Sequence, residues 1–256
     1  MKPALAWAVF CFEVRRIATL PRLAIGAMLA LFPPALVVLI QSQGGRLQQQ
    51  TAGAVALFVL IPEVVCLMGM LLWATPVIHT EVEGKTWAYL AVRPAGKAPI
   101  LLGKYLAAVA WTALLALASL SVSVAIISPE EGALRVWGAL ARLIVLSCLA
   151  YGAIYVLLGV LFLRRGMLAA VAYTVVFELL VAFIPAMINQ FTVQYHLRCL
   201  LVGWMPWPAV PRGMQALFGT APAWQHIAIL LGIAAVALTI ATLVLRRREL
   251  VRADTD

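Results

Sequence analysis

Glu63 and Glu178 are the residues of this 256-residue chain whose setting most invites chemistry. Leu60-Ile61-Pro62 leads into the first and Val175-Val176-Phe177 into the second, so both carboxyl groups lie deep in apolar sequence. An acid in such surroundings is paired with a cation, reaches water, or holds a proton. Each of these would let it line a polar route or pass a proton; a protonated side chain bonding across helices is the structural alternative.

Other constellations are weaker. His79 and Glu83 stand four apart and would share a helix face, a spacing that suits a metal, yet without further ligands it reads as a salt bridge at a membrane surface. His196 and Cys199 make a two-ligand set, too few for a metal site. Gly84-Lys85-Thr86 resembles the end of a phosphate-binding loop, but the glycine required five positions earlier is His79, and Glu81 and Glu83 put negative charge where phosphates would sit. Cys11, Cys66, Cys148 and Cys199 are too scattered for a zinc site or a disulfide framework. No nucleophile, acid or metal constellation stands out, so no catalytic residue, no metal and no enzymatic activity are expected of this chain alone.

The elements that must hold these residues are membrane spans. The chain is 64% hydrophobic and 11% charged, far outside the range of a soluble domain. Its net charge of +9 is not spread over a nucleic-acid-binding face but gathered at the ends of apolar runs. Runs of about 20 residues, the length that crosses hydrocarbon, fall at about Leu23–Ile40, broken by Pro33-Pro34, and then at Ala52–Ile78, Ile100–Ile127, Val136–Leu163, Met167–Ile188 and Trp224–Leu245. Residues 1–22 read as a surface helix with Trp7, Phe10, Val14 and Ile17 on one face and Lys2, Glu13 and Arg16 on another. Residues 189–223 are too rich in proline for one span and too apolar for a solvated loop, and are expected as short helices in the interface or re-entering the membrane.

With six spans, one side of the membrane collects Lys2, Arg15, Arg16, Arg22, Lys85, Arg93, Lys97, Lys104, Arg164, Arg165, Arg246, Arg247, Arg248 and Arg252. The other side holds Arg46, Arg135, Arg198 and Arg212. The positive-inside rule makes the first side, with both termini, cytoplasmic.

Between the second and third spans, residues 80–97 form a short connector of mixed charge. Thr80 and Glu83 fit a capping box, while Gly84 followed by Thr86 fits a stop and a new start; Pro94 ends helical geometry at Arg93. Trp87, Tyr89 and Leu90 among those charges suit a docking surface. Glu81-x-Glu83-Gly84, Thr86, Leu90, Arg93-Pro94, Lys97 and Ile100-Leu101-Leu102-Gly103-Lys104 together resemble the corresponding loop of ABC-2-type permeases. Lys85, inserted between glycine and threonine, and Arg93, where a small residue is common, depart from the family pattern.

The resemblance extends over the layout of nearly the whole chain. It implies a single all-α membrane domain over residues 1–256, with six transmembrane helices, an N-terminal surface helix, a cytoplasmic coupling helix and a broken hairpin before the last span. It also implies an exporter permease in the bacterial inner membrane, paired with a second copy or a related chain. ATP and Mg would then be bound by a separate cytoplasmic ATPase. The coupling residues so implied are Glu81, Glu83, Gly84, Thr86, Trp87, Tyr89 and Arg93, with Arg164 and Arg165 as a lesser contact. An ion-coupled carrier or channel using Glu63 and Glu178 is the competing expectation.

Overall fold

The computed structural model describes residues 3–17, 19–43, 50–83, 97–127, 132–163, 165–180, 192–205 and 222–247, and among these the regular structure is helical throughout. α1 is Pro3–Ile17 and α2 is Leu20–Ser42. The next span is a composite: α3 (Gln50–Phe58), a π-helical segment (Val59–Val65), α4 (Cys66–Trp73), a 3-10 turn (Thr75–Val77) and α5 (His79–Glu83). α6 (Lys97–Ile127) and α7 (Ala133–Leu161) follow. α8 (Gly166–Tyr173) runs into a second π-helical segment (Thr174–Leu180), and α9 (Val193–Trp204) and α10 (Ala223–Arg247) complete the chain.

Five of these helical stretches are long and apolar enough to cross a membrane, and a shorter apolar one covers Gly166–Glu178. The expected fifth span, Met167–Ile188, is therefore seen only to Leu180, and residues 189–191 and 206–221 of the expected hairpin also lie outside the described set.

The proline pair does not break the first span. Pro33 and Pro34 are buried inside a continuous α2, although lacking N–H groups they leave the carbonyls of Leu29 and Ala30 without their ladder partners. Pro62 acts differently. It lies within the first π-helical segment, whose widened turn leaves its carbonyl to accept a hydrogen bond from Ser147 Oγ on α7 at 2.9 Å.

α7 is the central post. Tyr151, Tyr155, Leu143 and Ile144 on it are fully buried, and α4, α6, α8, α9 and α10 all pack against it. Small residues let backbones meet, as expected where lipid supplies no hydrophobic drive between helices. A Cβ on Gly159 would lie 2.2 Å from the Thr75 carbonyl oxygen, so this contact between α7 and the 3-10 turn requires glycine. A Cβ on Gly103 of α6 would lie 2.6 Å from the Ala6 carbonyl oxygen. α1 is thus seated on α6, with Glu13 buried and Phe10 and Val14 packed against the core.

Candidate functional site

The contact between α1 and α6 holds a connected cluster of charged side chains. Helical spacing puts Glu13 and Arg16 on one side of α1; the end of the composite span supplies Glu81, and the residue after the Gly103 contact is Lys104. Lys104 Nζ donates to Glu81 Oε1 at 2.8 Å and also bonds Glu13. Arg16 bonds Glu81 and stands 3.6 Å from Glu13. Lys104, Glu13 and Glu81 are only 5%, 9% and 3% exposed, and with Arg16, whose side chain is 38% exposed, they make an electrically neutral quartet buried on all but the Arg16 side. The hydrogen bond to Glu81, reinforced by Glu13, pushes the Arg16 guanidinium further above its ordinary value, so it stays charged.

Three separate elements are pinned together by these bonds: α1, the α5 end of the second span, and the start of α6. Removing one member would strand a buried charge of opposite sign. Glu81, expected at a partner-facing surface, is therefore turned into the protein. The Thr80 hydroxyl donates to the Pro76 carbonyl at 3.1 Å one turn back, and the Glu83 half of the expected capping box lies outside the described residues. Gly84, Thr86, Trp87, Tyr89, Arg93 and Arg164, together with the Glu83 side chain, lie outside the described residues. Arg165 is exposed, and with Thr75, His79 and Gly159 it borders a cavity of about 290 Å³.

The two apolar-run carboxylates form a second polar layer, and both occur inside π-helical segments. Glu63 Oε1 accepts from Arg198 Nε at 2.8 Å, and Arg198 Nη2 donates in turn to Gln194 Oε1 at 3.2 Å. Glu178, 1% exposed, accepts from Tyr151 at 3.0 Å and Tyr173 at 3.1 Å. It also accepts from the backbone N–H of Gln194 at 3.3 Å and from that of Val193.

The last two bonds explain why a carboxylate is tolerated here. α9 begins at Val193, and the first N–H groups of a helix have no internal partners. Glu178 takes two of them and the Thr192 hydroxyl takes a third, from Tyr195 at 3.2 Å. A negative charge at this positive helix end is favourable as well as satisfying. Farther along α9, Trp204 lies under the Arg142 guanidinium, 4.6 Å from ring centre, and His196 Nδ1 meets His226 Nδ1 of α10 at 2.9 Å. Of the three states open to a carboxylate in apolar sequence, Glu63 thus adopts pairing with a cation, while Glu178 is satisfied by hydroxyl and backbone donors.

Sequence reasoning did not find Glu13, Arg16 and Lys104 as partners of Glu81, nor Arg198 as partner of Glu63. A legible signal existed for the first: Lys104 stands within an apolar run, where a lone lysine needs a carboxylate. Nothing in the sequence links His226 to His196. Cys66, Cys148 and Cys199 are buried and Cys11 is half-buried, all as free thiols. Among the described residues no group of three or more His, Cys, Asp or Glu is arranged to hold a metal ion.

A bundle of apolar helices around α7, sealed by internal ion pairs instead of by a water-facing shell, defines a multi-pass membrane protein. Residues 14–181 match the family described as ABC-2 family transporter protein, two-thirds of the chain, and the chain belongs to that family as the membrane domain of an ABC transporter. A search of curated proteins gives no match.

Proposed function

We propose that this chain is the permease subunit of an ATP-driven exporter in a bacterial inner membrane. Two copies, or this chain and a related one, would enclose the path, and the nucleotide and Mg would sit on a separate cytoplasmic ATPase. This chain contributes no ATPase site of its own.

The observation that supports the reading best is the buried quartet of Glu13, Arg16, Glu81 and Lys104. An ATPase pushing on residues 84–96 would act directly on α5. Because Glu81 ties α5 to α1 and α6, the push reaches two further helices as one body, without dissipating in a slack connector. Transmission of this kind needs two arrangements that ATP distinguishes energetically. A rigid joint just inside the contact loop is what lets that difference reach the spans.

Replacing residues 84–93 with a Gly-Ser linker tests the proposal while leaving Glu81 in place. The complex with the ATPase is expected to be lost on co-purification although the permease itself still folds. A complex that survives the replacement would show that this loop is not the dock.

A further inference from the structure

Beside the buried quartet, between α1, α2, α4 and α6, lies a half-open cavity of about 200 Å³, room for roughly six water-sized groups. Glu13, Arg16, Arg22 and Lys104 form its polar side; Ile25, Leu72 and Trp73 form an apolar side. The quartet balances its own charges, leaving Arg22 as the surplus. Among the described residues no carboxylate pairs with Arg22, and its Nη1 makes a 3.4 Å contact with the Arg16 carbonyl.

Arg22 stands in the first turn of α2 and Thr80 in the last turn of the composite span, while Lys104 and Ala108 border the cavity about two and three turns into α6. A guanidinium without a counter-ion above an apolar wall, at the boundary between lipid and water, matches one kind of molecule in that boundary: a negative headgroup joined to hydrocarbon. Planar, forked N–H donors suit the oxygens of a phosphodiester.

We propose that this cavity binds one anionic glycerophospholipid, with its phosphodiester on Arg22 flanked by Arg16, and with the upper part of an acyl chain against Ile25, Leu72 and Trp73. The lipid wedges between α1 and α2 and supplies the negative charge that Arg22 lacks. Zwitterionic lipids bring their own cation and fit the site less well.

Native mass spectrometry of the purified full-length chain in neutral detergent, titrated with dioleoyl phosphatidylglycerol, tests this. One phosphatidylglycerol is expected to bind saturably, with phosphatidylcholine at least tenfold weaker and millimolar inorganic phosphate failing to compete. Arg22→Ala should weaken phosphatidylglycerol about tenfold and Arg22→Lys by less. Ile25→Trp, which keeps every charge but fills the apolar side, should abolish the saturable site, and it carries the test if Arg22→Ala does not fold. Equal binding of both lipids, or unchanged binding in folded Arg22→Ala or Ile25→Trp protein, overturns the proposal. Full competition by inorganic phosphate would do so too, since the cavity would then be a site for the free ion.

Discussion

Lys104 is the residue on which the cluster at the start of α6 turns. It bonds both Glu13 and Glu81, so truncating it leaves two buried carboxylates to share Arg16. Lys104→Ala should lower stability by about 3 kcal/mol or more, the usual penalty for breaking a buried pair. Lys104→Met combined with Glu13→Gln should be milder than Lys104→Ala alone, because it removes charges of both signs. Thermal unfolding in detergent measures both, and faster tryptic cleavage at Arg15 in the single variant would report release of α1. A single variant as stable as the parent would show that the quartet is not holding α1.

Glu63 and Arg198 lend themselves to the same reasoning through a double-mutant cycle. Glu63→Gln and Arg198→Gln each leave one charge in an apolar setting, while the double variant leaves none. The coupling between them should be about 1–3 kcal/mol, within the range for contacting residues. Additive losses would mean that the 2.8 Å pair contributes little.

At the scale of elements, two close approaches are sharp enough to predict. Gly159→Ala forces a methyl into the Thr75 carbonyl, and neither backbone can give way without parting α7 from the 3-10 turn. A fall in the melting temperature of several degrees, or failure to fold, is expected. Gly138→Ala on the same helix meets nothing within 4 Å and should be neutral or slightly stabilising, since alanine favours helix. If both variants melt alike, the approach is not limiting.

The elements were legible in the sequence to differing degrees, for physical reasons. Span positions follow from runs of apolar residues, and five stretches were found within a few residues of their ends. The expected break at Pro33-Pro34 failed, because losing two ladder bonds does not by itself end a helix that packs along α6. The π-helical segments were invisible: their signal is not composition but the fit of one helix against others, here Ser147 against Pro62 and Glu178 against α9. Glu63 and Glu178 were found because a carboxylate in an apolar run is conspicuous, but Arg198 lies 135 residues from Glu63 and the α9 amide 16 from Glu178, and pairing at such distances leaves no local trace; Tyr173, 5 residues from Glu178, is the one donor near enough to be read.

For the whole molecule, orientation is the property most directly at stake. The positive-inside count predicts that Arg165 and the end of α10 at Arg247 face the cytoplasm. Single cysteines introduced at these positions in a cysteine-free background should resist a membrane-impermeant maleimide in intact cells and react once the membrane is opened. Labelling of either position in intact cells would reverse the topology, and with it the assignment of residues 84–96 to an ATPase. The matched family region ends at residue 181, so α9 and α10 lie beyond it. These two helices are joined to the matched part chiefly through polar bonds to Glu63, Glu178 and Arg142 and through packing on α7.

The π-helical segments carry a consequence for how that junction is kept. A widened turn holds one residue more than the α-helical ladder around it requires. Excising one apolar residue between Val59 and Val65 would let that turn close to ordinary α-helical spacing, with the helix on either side keeping its phase. It would also remove the widened turn that presents the Pro62 carbonyl to Ser147 and the Glu63 carboxylate to Arg198. The hold of α9 on the rest of the bundle thus leans on one surplus residue, which no count of apolar residues records and which a one-codon deletion would erase.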